Sequence, residues 1–118
     1  MSAPNVVQVG TITGKAAVQS VGTSATAIVT NSSSSNKVFK VNALYVSNID
    51  GSASAGITVD FYRSSTAYHI AKTITVPANA TLDVISKPVY LEEGDALRLT
   101  ASATGDIQAV CSYEEISQ

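Results

Sequence analysis

The sequence predicts an all-β protein, a single antiparallel β-sandwich of jelly-roll or Greek-key type with about eight strands. Val, Thr, Ile and Tyr dominate short runs that are bounded by Gly, Ser, Asn, Asp and Pro. No stretch has the periodicity of an amphipathic helix. Charged residues make up only 14% of the 118 residues, against about 25% in typical globular domains. With 45% hydrophobic residues, residues 1–118 are expected to form one domain around one core.

The first segment, residues 1–10, has little to bury. Pro4 and Asn5 weaken any strand there, so we expect an N-terminal arm. The segment lacks the charged stretch and apolar core of a secretion signal, and no long apolar segment follows. We therefore expect synthesis and folding in a cytoplasm, without membrane association.

Strands are next expected at 11–18 and 25–30, before a polar loop at 30–36, and then along the run 38–49. In that run the apolar residues change phase, since Phe39 and Val41 have one parity and Leu44 and Val46 the other. Such a change indicates a β-bulge, here near Asn42 and Ala43.

Two strands with alternating patterns follow the Asp-Gly turn that opens residues 50–56. Residues 57–62 place Ile57, Val59 and Phe61 on one face and Thr58, Asp60 and Tyr62 on the other. Residues 68–76 place Tyr68, Ile70, Lys72, Ile74 and Val76 together, with Lys72 as the exception. Pro77 lacks an N–H for the ladder and ends this strand.

The remaining strands are expected at 82–85, 95–101 and 107–114. Between them, Glu92, Glu93 and Asp95 surround Gly94. This stretch predicts a hairpin corner whose three acids are solvated and ionised. A glycosidase-type acid pair needs burial and a fixed separation, and the spacing does not match a calcium loop. We therefore expect no metal and no cofactor.

Candidate nucleophiles and bases are few. His69 is the single histidine and faces away from Ile70, which indicates solvent or a subunit contact. Cys111 lies among apolar and acidic neighbours, which favours a small buried hydrophobe over a reactive thiol. No residue is predicted to be catalytic. With a single cysteine, no intrachain disulfide can form.

Aromatic residues offer the best candidate contacts. Tyr62 and Tyr68 flank the turn 63–66 and could stand near one rim with Arg63. Such a group could stack on sugars, but the composition favours a seam between subunits. Possible subunit or partner contacts are therefore Tyr62, Arg63, Tyr68 and His69. A net charge of −2 without a basic run argues against nucleic acid as a partner.

From about residue 38 to the end, three stretches occur in a characteristic order: "VNALYVSNIDGSASAGITVDFY", "ITVPANATLDVISKPVYLEEGDALRLTAS" and "VCSYEEIS". In this order the chain resembles small β-sandwich virion structural proteins of tailed bacteriophages. The resemblance implies a non-enzymatic, oligomeric and often trimeric particle component, without catalytic residues.

Within that class, the expected function is a capsid decoration (cement) protein. It would bind the major capsid protein, stabilise the head shell and reside in the virion. The alternative is a tail, baseplate or fibre adaptor. A carbohydrate-binding attachment module is a third hypothesis, and it would require exposed aromatic side chains in one concave patch.

Overall fold

The structure is a computed structural model that describes residues 10–117. Of the predicted N-terminal arm, only Gly10 lies within the described residues. The strands of the described chain are β1 (Thr11–Val21), β2 (Thr26–Thr30), β3 (Lys37–Asn48), β4 (Ala55–Arg63), β5 (Thr66–Val76), β6 (Thr81–Asp83), β7 (Val89–Leu91), β8 (Ala96–Ala101) and β9 (Ile107–Ser117). Residues 10–117 contain no helix, and therefore none that could cross a membrane.

These strands form two antiparallel sheets. Sheet A has the order β1-β9-β3, and β6 and β7 both pair with the free side of β3. Sheet B has the order β2-β8-β4-β5. Because β6 and β7 share one position, each sheet has four strand positions, and all consecutive positions except β4 and β5 lie in different sheets, as in a jelly roll. The predicted fold class is confirmed, and β7 is the strand that the sequence did not predict.

The core lies between the sheets and is built from inward-facing residues of both. Its largest fully buried side chains are Leu44, Ile57, Leu91, Leu97, Leu99 and Ile107. The predicted bulge in β3 is confirmed, because the register with β9 shifts between Val41 and Ala43. This bulge lets β3 keep apolar residues on the core side at both of its ends.

Strand β5 corrects one sequence prediction. Its register with β4 shifts twice, so that Ala71 lies opposite Val59 and Ile74 lies opposite Ile57. Ile70 and Lys72 lie in the irregular stretches and do not continue the face of Tyr68. The regular alternation predicted for 68–76 was therefore wrong, because two extra residues interrupt the pleat.

Two buried asparagines hold the polar loop 30–36 and the loop that opens with the Asp-Gly turn. Asn31 donates through Nδ2 to the carbonyls of Lys37 and Leu91, at 2.9 and 3.0 Å. Asn48 donates to the carbonyls of Ala53 and Val76, both at 2.9 Å. An amide can satisfy several backbone groups at once, which explains asparagine at these buried loop ends.

Candidate interaction surface

The outer face of sheet A carries a row of exposed apolar side chains. Val18 of β1 lies opposite Val110 of β9, which lies opposite Tyr45 of β3. Their exposed fractions are 75%, 43% and 45%. Since apolar side chains in register across three strands form one contiguous surface, we call Val18, Val110 and Tyr45 the apolar row.

The rows on either side are neutral and carry small or amide side chains. One contains Ala16, Ser112 and Ala43, and the other contains Ser20, Gln108 and Ser47. A depression between β1 and β9 is lined by Val18, Gln19, Ser20, Gln108, Ala109 and Val110. The centre of this face is therefore low in charge, which suits burial against another protein surface.

One end of the sandwich carries a compact charge cluster. Glu115 of β9 accepts hydrogen bonds from Lys15 Nζ and Lys37 Nζ, both at 3.0 Å. Burial by itself raises the pKa of Glu115, but the hydrogen bonds and charges of the two lysines outweigh it. The pKa of Glu115 therefore lies below its ordinary value, and β1, β3 and β9 are tied together.

We expect this cluster to make stability depend on pH. A lowered pKa in the folded state contributes stability above the pKa of the unfolded chain, about 4.3 for Glu, and that contribution is lost as the pH falls through the folded value. Glu115→Gln should therefore unfold at lower urea than the wild type at pH 7. The difference between the two proteins should shrink as the pH falls below about 4. A difference that stays constant between pH 7 and pH 3 would contradict this assignment.

The acidic corner between β7 and β8 is a turn but not the predicted hairpin, because β7 pairs with β3 in sheet A whereas β8 belongs to sheet B. Gly94 has a φ of 89°, a conformation that glycine adopts readily, and its N–H donates to the carbonyl of Asn31 at 2.7 Å. The carboxylate of Asp95 accepts the backbone N–H of Glu92 at 2.8 Å. The corner is thus fixed by hydrogen bonds that join it to the start of the loop after β2.

Of the three acids predicted to be solvated, Glu93 is half-buried and accepts the backbone N–H of Asn36 at 3.0 Å, and the prediction was wrong for Asp95. Its side chain is only 3% exposed and binds Arg63 through two oxygens, at 2.8 and 2.6 Å. Arg63 also binds Glu92 at 2.8 Å. The two carboxylates raise the pKa of Arg63, and the hydrogen bond to Asp95 is the largest cause. The carboxylate of Asp95 therefore bonds an arginine and a backbone N–H.

A second arginine pair lies on the outer face of sheet B. Asp60 of β4 is 3% exposed and lies opposite Arg98 of β8, whose Nε donates to it at 2.9 Å. The guanidinium carbon of Arg98 also lies 3.8 Å from the ring centroid of Tyr62. Arg98 thus neutralises a buried carboxylate and stacks on an aromatic ring.

The four predicted contact residues do not form one patch. Across the β4–β5 pair, Phe61 lies opposite Tyr68, and Asp60 lies opposite His69. Tyr62 and His69 therefore share the outer face of sheet B, whereas Tyr68 lies on the opposite face, with Phe61. Tyr62 is half-buried, whereas Tyr68 is 58% exposed. Arg63 binds the carboxylates of the acidic corner, and its guanidinium carbon lies 5.0 Å from the ring centroid of Phe61.

The other candidate reactive residues are placed as follows. Cys111 is fully buried, and burial raises the pKa of its thiol to about 11. The resulting thiol is protonated and unreactive at neutral pH. His69 is exposed on β5. Within residues 10–117, no group of three or more His, Cys, Asp or Glu side chains is placed to hold a metal ion.

Sequence reasoning missed the apolar row. Each of the three residues stands at a strand position whose side chain points outward, where a polar residue is usual. The signal available in the sequence was therefore an apolar residue at such a position. Three such residues become a surface only when the register of β1, β9 and β3 is known. Because β1 and β9 lie at opposite ends of the chain, local patterns do not supply that register.

The fold and the surfaces define a jelly-roll protein of the β-sandwich class. No family model and no curated protein matches the sequence. Among solved structures, the chain is similar to one from Bacillus endospore appendages, which form a family of disulfide-linked pili. The TM-score is 0.54 with 14% identity, and the match covers 91% of this chain and 87% of the other. This likeness concerns the fold.

Proposed function

We propose that this protein is a non-enzymatic structural subunit of a bacteriophage particle, and specifically a decoration protein that binds the major capsid protein and stabilises the head. The observation that carries the proposal is the apolar row at the centre of the outer face of sheet A, between two rows of uncharged side chains. The ordered resemblance of residues 38–118 to phage virion proteins supplies the particle class. Self-association belongs to the proposal, and the resemblance implies a trimer.

The binding free energy of a decoration protein comes from a contact that is repeated many times over the particle. Covering Val18, Val110 and Tyr45 removes apolar area from water at roughly 25 cal/mol per Å². One such contact is modest, because association also costs translational and rotational freedom. On a lattice, each subunit contacts several neighbours at once, and the contacts reinforce one another. A rigid sandwich loses little conformational entropy when it docks.

The proposal is tested on particles that carry the protein. Stripping the protein should lower the heat resistance of the particles, and adding back the wild type should restore it. Val110→Glu places a charge in the centre of the apolar row and should fail to restore it. Ile49→Glu is the matched control, because Ile49 is similarly exposed at 51% but follows β3 outside the row.

Two results would contradict a cementing role. One is unchanged heat resistance after stripping. The other is full restoration by Val110→Glu. Labelling the protein in electron micrographs separates head from tail, since a decoration protein covers the whole head and a tail adaptor occupies one vertex.

The likeness in fold to a pilus chain favours a second candidate, a subunit of a fibrous assembly. A continuous disulfide-linked polymer needs at least two cysteines in each subunit, whereas this sequence contains only Cys111, which is buried. A fibre of this protein would therefore be held by non-covalent contacts. Filaments in micrographs of the purified protein would favour this candidate over the decoration protein.

A further inference from the structure

The edges of the two sheets differ in how well they are protected against pairing with another strand. On sheet B, β2 is only five residues long, its register shifts after Ala27, and Gln19 Nε2 donates to the carbonyl of Ala27 at 3.0 Å. On sheet A, the edge beyond β3 is divided between β6 and β7, of three residues each. Short and interrupted strands are common protections of a sheet edge.

Strand β5, the other edge of sheet B, is long but irregular. Its two register shifts and the positive φ of 52° at Thr73 break the regular spacing of N–H and C=O groups. Lys72 lies in the same irregular stretch. Bulges and lysines are the devices by which natural sheets prevent edge-to-edge pairing.

Strand β1 is neither short nor irregular. It runs for 11 residues without a bulge, and each residue from Thr11 to Val21 has a partner in β9. It contains no proline, and its single charged residue, Lys15, is ion-paired with Glu115, which also binds Lys37. No strand among residues 10–117 pairs with its outer edge. Ile12 and Val18 on this strand are 55% and 75% exposed.

We infer that the outer edge of β1 pairs antiparallel with β1 of a second copy of this chain, so that sheet A continues across a twofold axis. A second copy fits because the edge is complementary to itself. Its single charged side chain is ion-paired, so the repulsion between two copies is weak. Among the described edges, β1 of another copy is also the one regular strand of matching length. Twofold pairing gives a dimer, in contrast to the trimer that the resemblance implies.

The sequence of β1 also favours a register. If the axis passes through Ala16, then Lys15 lies opposite Ala17 of the second copy and not opposite the second Lys15. This register is favoured because like charges directly opposite each other destabilise a strand pair. Val18 then lies opposite Gly14, where no atom lies within 4 Å of an added Cβ. The apolar rows of both copies share one continuous face.

The inference concerns the purified chain in solution and therefore goes beyond the proposed function. Sedimentation equilibrium should give twice the chain mass of 12.1 kDa. Ala16→Pro and Ala17→Pro then locate the contact. Successive N–H groups of a strand point to opposite sides, so one of the two prolines removes an outward donor and the other removes a donor to β9. The variant that loses the outward N–H should show the thermal unfolding transition of a folded monomer. Its mass from sedimentation equilibrium should be 12.1 kDa.

A charge substitution tests the same edge without altering the backbone. Ala16→Lys should raise the dissociation constant of the dimer at least tenfold. Ser112→Lys is the matched control, because Ser112 is exposed in the same row on β9, one strand further from the edge, and this variant should remain dimeric. A monomeric or trimeric wild type would overturn the inference. So would a dimer that Ala16→Lys and both proline variants leave intact.

Discussion

Arg98→Met is expected to lower the free energy of unfolding by about 3 kcal/mol, because removing one partner of a buried ion pair leaves the other charge without compensation. Asp60 is 3% exposed, and its hydrogen bonds to side chains come from Arg98, at 2.9 and 3.4 Å. Methionine keeps most of the volume of the arginine stem, so the effect reports the loss of charge rather than a cavity. Urea unfolding at pH 7 measures it as a shift of the midpoint.

Two companion variants separate the causes of this effect. Arg98→Lys keeps the charge and loses both the two-point contact and the stacking on Tyr62, so it should cost less than methionine. The double variant Asp60→Leu with Arg98→Met should recover much of the loss, because no buried charge then remains. A midpoint for Arg98→Met within error of the wild type would contradict the assigned role of the pair.

Asn48→Ala is expected to cost about 2 kcal/mol or more, because it leaves buried backbone groups without partners. The side chain of Asn48 is 2% exposed, donates to the carbonyls of Ala53 and Val76, and accepts the N–H of Asp50 at 3.0 Å. It thereby fixes the β3–β4 loop against the end of β5. Urea unfolding measures the loss.

Asn42→Ala is the matched control for this substitution. Asn42 lies on the same strand at the bulge but is exposed to solvent. Its replacement should change the free energy of unfolding by no more than about 0.5 kcal/mol, as is usual for surface sites. Equal losses in the two variants would show that the amide of Asn48 has no special role.

The sequence predicted the features that depend on local patterns. The alternation of Ile57 and Val59 identified a strand with one buried face, and Pro77 marked the end of β5. The phase change after Val41 located the bulge in β3, which the register with β9 confirms. Each of these features is decided by a few neighbouring residues, whose spacing can be read directly.

Features that depend on distant partners were not predictable in this way. Asp60 has the outward parity expected of a solvent-exposed acid, and its burial follows from Arg98 in the neighbouring strand. Asp95 is buried because Arg63 approaches from the end of β4. The only local irregularity in β5 is Lys72 on an otherwise apolar face, and a lysine at one position does not indicate two register shifts.

The same reason explains the candidate surface. Tyr62 and Tyr68 are close in sequence and were expected near one rim, yet the pleat directs them to opposite faces of sheet B. Val18 and Val110 are far apart in sequence and become neighbours through the β1–β9 register. A jelly roll serves many functions, so the fold alone does not choose among them, and the surface must carry the proposal.

We propose that the outer face of sheet A is the binding face of a structural subunit. A density map of particles that carry the protein tests it most directly. The proposal predicts copies over the whole head, with Val18, Val110 and Tyr45 covered by another protein chain. Copies confined to the tail, or an apolar row that faces solvent in every copy, would contradict it.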